Sequence, residues 1–181
     1  AIFGVVADHL EVPQIYETAV EAVLGERLQY VLVESQRDGI KAIDYLKHHA
    51  LGRGSFIPRE VRTPPAGDHL PPHLEQAVRL VDTVRVTPDF RGVADYLLGD
   101  VLVIPTLNEG VALWERNGFC GTFVTPEGDI VHPHGVLTGG SANGNGKSLL
   151  RTKREISELE DEATRLTSRL TEAEEGRRRM T

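Results

Sequence analysis

Residues 125–140 read Thr125-Pro126-Glu127-Gly128-Asp129-Ile130-Val131-His132-Pro133-His134-Gly135-Val136-Leu137-Thr138-Gly139-Gly140, and the glycines at 128, 135, 139 and 140 fall as G-x6-G-x3-G-G. Thr125-Pro126-Glu127-Gly128 is a turn between strands, with glycine where a positive φ is cheap. The β-branched residues between the glycines favour a strand over a loop cluster. Glycine in a strand leaves no side chain to pack and costs stability. That cost is offset where a second main chain approaches closely. The stretch therefore predicts a bare strand that another backbone lies against.

Upstream, a β-α-β plan occurs twice. Pro13–Leu24 reads as a helix stopped at Gly25, with Ile15, Ala19, Ala22 and Val23 at helical spacing. Leu28–Val33 is a strand. A helix over Gly39–Ala50 follows, with Ile40, Ile43, Leu46 and Lys47 on one face, then a glycine turn into Phe56-Ile57-Pro58. In the second half, Phe90–Leu98 is a helix stopped at Gly99, Val101–Ile104 a strand, Leu107–Asn117 a helix and Phe119–Thr125 a strand. The pair Ala19–Gly25 and Val93–Gly99 share a Leu-Gly ending. The segment 61–73, with Pro64, Pro65, Pro71, Pro72 and Gly67, is a linker by composition, and helical pattern resumes over Leu74–Val86. The expected fold class is α+β (mixed α/β): two related lobes of helix-covered strands, residues 1–60 and 74–146, plus a C-terminal coiled-coil helix over 147–181.

That helix carries an a/d heptad. Leu149, Ile156, Ala163 and Leu170 sit seven apart, and Thr152, Leu159, Leu166 and Ala173 sit three after each. Such a helix reaches roughly 40 Å, and its single apolar stripe needs a partner helix.

The chain has 181 residues, 26% charged, with a net charge of −7. Residues 1–146 hold 11 Lys+Arg against 19 Asp+Glu, a net of −8; residues 147–181 hold 9 against 8, a net of +1. A uniformly basic nucleic-acid coat is excluded, while a local basic patch is not. Lys147, Arg151, Lys153 and Arg154 form such a patch at the helix start, where cations oppose the macrodipole. A phosphate backbone would favour them there.

No apolar run approaches the roughly 20 residues of a membrane helix. The single cysteine excludes an internal disulfide. The chain begins at Ala1 and reads as a piece of something longer.

Three chemistries were weighed. Gly146-Lys147-Ser148 could open a phosphate-binding helix, but five residues before Gly146 stands Ser141, so G-x4-G-K-[ST] is not met. No further strands follow to supply an acidic Mg²⁺ ligand. His69-x3-His73 and His132-x-His134 have metal-ligand spacing, yet Pro71, Pro72 and Pro133 break the geometry. His48 and His49 point apart, and all are expected to be surface or structural histidines. Cys120 lies in a predicted strand without a basic neighbour to lower its pKa and is expected to be a small buried residue. No catalytic residue, metal or cofactor is expected.

On the G-x6-G-x3-G-G run followed closely by a coiled coil, the chain resembles the hinge domain of the SMC (structural maintenance of chromosomes) family, of bacterial type. Gly52-Arg53-Gly54-Ser55-Phe56-Ile57-Pro58 and Leu98-Gly99-Asp100-Val101-Leu102-Val103 resemble that family's two lobes. The resemblance implies a non-enzymatic homodimerisation module between the arms of an antiparallel coiled coil, from a chromosome condensation and segregation protein that is cytoplasmic and nucleoid-associated. It implies that each lobe pairs with the opposite lobe of a second chain, with Gly128, Gly135, Gly139 and Gly140 at the contact. It implies DNA contact, salt-sensitive, through Lys147, Arg151, Lys153 and Arg154, and an arm partner helix from the same full-length chain. The ATPase of that family lies in head domains absent from these residues. The alternative is a connector that never touches DNA. The zinc-hook relatives are excluded, since no Cys-x-x-Cys is present.

Overall fold

The computed structural model describes residues 1–62, 74, 77–116, 119–140 and 148–179, with side chains described as far as residue 172. It divides into two units, Ala1–Asn143 and Gly144–Thr181.

The first unit is the same plan laid down twice. The first lobe runs β1 (Ile2–Val5), β2 (Leu10–Glu11), α1 (Glu17–Leu24), β3 (Val31–Val33), α2 (Gln36–His48) and β4 (Phe56–Pro58). The second runs β5 (Val78–Arg79), α3 (Leu80–Thr83), β6 (Arg85–Val86), α4 (Arg91–Leu98), β7 (Val101–Val103), α5 (Leu107–Glu115) and β8 (Thr122–Val124). In each, two parallel strands are joined across a helix, as parallel pairing requires. Leu32 stands opposite Ile57 in one lobe and Leu102 opposite Phe123 in the other. An antiparallel strand flanks each pair, β1 on β3 and β5 on β7. The lobes are tied by an antiparallel ribbon of β2 and β6, with Leu10 opposite Val86.

The second lobe continues where the first stops. Strands β9 (Ile130–Val131) and β10 (Leu137–Thr138) add to β8 by antiparallel pairing. The sheet orders are β1-β3-β4 and β5-β7-β8-β9-β10. Strand β4 is the counterpart of β8, and among the described residues nothing pairs with its outer edge.

The crossover helices are built alike. Ser35 caps α2 by accepting from the Asp38 N–H at 3.3 Å, and Thr106 caps α5 by accepting from the Glu109 N–H at 3.3 Å. Four residues after each cap stands a buried glycine, Gly39 and Gly110. A methyl on Gly110 would enter Ile104 and reach Val131 at 3.0 Å, so the bare Cα sets how closely α5 lies on its sheet.

The lobes share a core. Leu10 and Leu32 of the first lobe and Val93, Ala94, Leu97 and Leu98 of α4 line one void of about 10 Å³. The Phe3 ring stands edge-on to Phe90 with centroids 5.3 Å apart. Beneath the second sheet, Leu102, Ile104, Phe123 and Val131 are buried together.

Four expectations change. The strand expected from Leu28 starts at Val31, because Gly25–Gln29 winds as a 3₁₀ turn that buries Leu28. Helix α2 begins at its Ser35 cap rather than at Gly39, and it turns Gly39, Ala42 and Leu46 inward while Ile40 and Ile43 face out. Glycine lets the helix approach the sheet on that side, and this overrides the ranking by hydrophobicity. The helical pattern over Leu74–Val86 resolves into β5, the single turn α3 and β6, because Val78 and Arg79 pair with β7. Cys120 is exposed rather than buried. Strand β8 begins only at Thr122, and the Phe119 ring folds over Gly121, leaving Cys120 outside.

The second unit is α6 (Leu149–Arg179), 31 residues long and about 46 Å at 1.5 Å per residue. The Ser148 hydroxyl accepts from the Arg151 N–H at 3.0 Å and caps it. Its stripe residues Ile156, Leu159, Leu166 and Leu170 are exposed.

One substitution made at two helical glycines should give opposite signs. A methyl at Gly92 of α4 meets nothing within 4 Å, so Gly92→Ala should stabilise by up to about 1 kcal/mol through helix propensity and unfolded-chain entropy. Gly110→Ala gains the same propensity but overpacks a buried contact at a cost of about 1–3 kcal/mol, and should destabilise on balance. Urea unfolding of both variants checks the pair.

Candidate functional site

The glycine stretch is two hairpins of one design. In the first, the Gly128 N–H donates to the Thr125 carbonyl at 3.0 Å and the Thr125 N–H to the Asp129 carbonyl at 2.9 Å. In the second, the Gly135 N–H donates to the His132 carbonyl at 2.9 Å and the His132 N–H to the Val136 carbonyl at 2.9 Å. Proline follows the first residue each time, and glycine takes a positive φ at the bulge, +93° at Gly128 and +79° at Gly135. The x6 spacing is thus the four-residue segment 129–132 that contains β9 plus the first two residues, Pro133 and His134, of the second three-residue loop.

Each glycine has its own surroundings. A Cβ on Gly128 would come within 3.1 Å of Thr18 Cγ2 and 3.3 Å of Ala22 Cβ, so this hairpin tip rests on α1 of the same chain. A Cβ on Gly135 would come within 2.7 Å of Trp114, whose indole N–H donates to the Pro133 carbonyl at 2.9 Å. A Cβ on Gly139 would run into the Asp129 carboxylate. Gly140 differs: its φ is +122° and, among the described residues, no atom beyond its chain neighbours lies within 4 Å of where a Cβ would be. Its N–H donates to Asp129 Oδ1 at 3.2 Å.

These residues form one edge of the five-stranded sheet. Residues 136–140 are exposed throughout, Val136 at 59% and Leu137 at 53%. Two apolar side chains on an outermost strand are the reverse of the charges and prolines that usually blunt such edges. The first lobe offers the complementary feature, the open edge of β4. Helix α2, which packs on β4, turns Ile40 and Ile43 outward.

The basic residues at the helix start are placed in part. Lys147 lies outside the described residues, while Arg151, Lys153 and Arg154 stand on the first turns of α6. Arg151 Nε donates to Glu155 Oε1 at 2.9 Å, and Arg154 Nη1 to Glu158 Oε1 at 2.9 Å. Exposed pairs of this spacing are worth about 0.3–0.5 kcal/mol, little enough for a phosphate to displace.

The other candidates are engaged locally or lie elsewhere. His48 and His49 bond through Nδ1 to the carbonyls of Asp44 and Tyr45, and His132 Nε2 bonds to Thr138 Oγ1. His69 and His73 lie outside the described residues, as do Ser141 and Gly146 of the phosphate-loop candidate. Ser148 is a helix cap. The Ser35 hydroxyl holds the Asp38 carboxyl below its usual range and Asp82 raises the Arg91 guanidinium; neither group belongs to the glycine edge. Among the described residues no helix is long and apolar enough to cross a membrane. Asp129 and Trp114, which fix the glycines, were not singled out from sequence. The repeated x-Pro-x-Gly at Thr125 and His132 was the available signal.

Comparison with known proteins bears on this architecture. The family described as SMC proteins Flexible Hinge Domain matches residues 1–114. The chromosome partition protein Smc of Myxococcus xanthus is 42% identical over 182 residues, which is 94% of this chain and 14% of that protein. Smc of Bacillus subtilis is 33% identical over 180 residues, 96% of this chain and 14% of that protein. The chain thus spans about a seventh of the length of these relatives. Among solved structures, an asymmetric dimer of the Geobacillus stearothermophilus SMC hinge domain is similar at a TM-score of 0.77 and 30% identity, covering 92% of this chain and 69% of that one. The Pyrococcus furiosus Smc hinge domain with an extended coiled coil is similar at a TM-score of 0.67 and 28% identity, covering 97% of this chain and 65% of that one. With a duplicated mixed fold, a long C-terminal helix and these matches, the chain belongs to the SMC flexible hinge domain family.

Proposed function

We propose that this chain is the homodimerisation hinge of a chromosome partition protein, and that two copies join strand to strand, β10 of one against β4 of the other. The observation that carries this reading is the mismatch between the lobes. Among the described residues the second lobe has two strands beyond β8, and the first has none beyond β4, its counterpart. At these two ends a single chain presents one open edge of each kind. A twofold axis makes both pairings at once and closes the assembly.

A ladder of two or three residues is too small for a stable dimer, which needs about 800 Å² from each partner. The exposed Val136 and Leu137 beside β10, and Ile40 and Ile43 beside β4, supply apolar area along the same path. Gly140 keeps the main chain bare where the second chain arrives, while Gly128, Gly135 and Gly139 serve the contact through the hairpins that present it.

In this reading α6 is the root of one arm, and its exposed stripe takes the antiparallel helix of the same full-length chain. DNA binding is auxiliary. Lys147, Arg151, Lys153 and Arg154 contact phosphates at the root, with Arg151 and Arg154 exchanging their glutamate partners for them. The acidic run from Glu155 to Glu162 confines the contact to the first turns.

Sedimentation should show the wild-type chain as a dimer, and Gly139→Glu with Gly140→Glu as a folded monomer. An intact dimer of that double variant would refute the glycine edge. In DNA retention across a salt series, about four phosphate contacts should give a log–log slope near −3 to −4. Reversing Lys147, Arg151, Lys153 and Arg154 to Glu should abolish retention and leave the dimer. Unchanged retention in that variant would reject the basic root as the DNA contact, and no retention by the wild-type chain would leave it a connector without DNA contact.

A further inference from the structure

We infer that Asp129 is a positioning residue for the dimer edge, a carboxylate latch that fixes residues 138–140 for the second chain; this rests on the dimerisation reading above. Strand β10 has only two ladder residues, Leu137 opposite Val131 and Thr138 opposite Ile130. Beyond Thr138, whose Oγ1 bonds to His132 Nε2 at 3.0 Å, the ladder no longer holds the chain. The carboxylate of Asp129, at the start of β9, spans the hairpin and accepts the Gly140 N–H at 3.2 Å.

Asp129 is itself held at both backbone groups. Its N–H donates to Thr125 Oγ1 at 3.0 Å, and its carbonyl accepts from the Thr125 N–H at 2.9 Å. Thr125 is 2% exposed, so the anchor lies in the core.

The latch divides the labour of the glycine pair. Any side chain on Gly139 would occupy the space of the Asp129 carboxylate, so Gly139 is bare for an intrachain reason. Gly140 has open space around its Cα and a φ of +122°, so it alone of the four faces outward without an intrachain obstacle. The sequence pair Gly-Gly thus carries two requirements, space for the Asp129 carboxylate at Gly139 and a positive φ at Gly140, where the open side leaves room for the second copy's main chain.

A double-mutant cycle on the dimer dissociation constant tests this, measured by sedimentation on a dilution series of the whole 181-residue chain. Asp129→Ala should weaken the dimer about 5- to 10-fold, within the range for one ordinary solvent-exposed hydrogen bond. Asp129→Asn, which keeps the acceptor, should stay within about threefold of wild type. Gly139→Ala should weaken the wild-type dimer by more than about tenfold, yet add less than about twofold to Asp129→Ala. An equal cost of Gly139→Ala in both backgrounds, or an unchanged constant for Asp129→Ala, would overturn the latch. A wild-type chain that stays monomeric would defeat the dimer reading instead. The latch is then judged by Gly140 amide exchange, which should quicken in Asp129→Ala; equal exchange in the two proteins would reject it.

Discussion

A sheet edge is a row of main-chain donors and acceptors with fixed direction and spacing, and of the four outer strands of the two lobe sheets, β1, β4, β5 and β10, two mark the ends at which the lobes differ. One is β4 in the first lobe, and the other is β10 in the second. Buried main-chain polar groups require partners, and an edge flanked by apolar side chains cannot be left to water alone without inviting another strand. The two lobes share one β-α-β plan and are tied through the β2–β6 ribbon, and among the described residues only the second carries a hairpin extension, on β8. What the first lacks, the second carries in surplus. In the proposed pairing a second chain would resolve both deficits by a single symmetry operation.

The glycines look different once each neighbour is named. A cluster of bare positions suggests a surface cleared for an approaching molecule. In the folded chain Gly128 is cleared for α1, Gly135 for Trp114 and Gly139 for Asp129, and Gly140 is left over. The same residue type meets four constraints, each with a local part, since Gly140 takes a φ of +122°. The edge is therefore shaped within the single chain, which would lower the ordering cost of the proposed association.

Much of this was legible in sequence. The repeated Leu-Gly helix endings, the strand after each and the heptad from Leu149 gave the duplicated plan and the long helix directly, because those signals are periodic and local. What was not legible depended on packing between elements. The inward face of α2 is Gly39, Ala42 and Leu46, because close helix–sheet approach selects small residues where a hydrophobicity count selects Ile40 and Ile43. Residues 78–86 follow their pairing with β7 and β2 rather than their own spacing. Cys120 sits outside because the neighbouring Phe119 takes the interior position. The role of Asp129 could not be read at all, since a carboxylate reaching from residue 129 to residue 140 is visible only after both hairpins are folded.

The central claim is the trans pairing of β4 with β10, and cysteine cross-linking between two distinguishable chains examines it most directly. With Cys120→Ser in both, one chain carries a cysteine at each of positions 56–58 in turn and the other at each of positions 137–140. Disulfides form only where Cα atoms approach to about 4.4–6.8 Å. The account expects rapid formation of the mixed covalent dimer for at least one pair, with yields alternating along each strand. If no pair cross-links while the unmodified chains sediment as a dimer, the two copies meet elsewhere and the account is wrong.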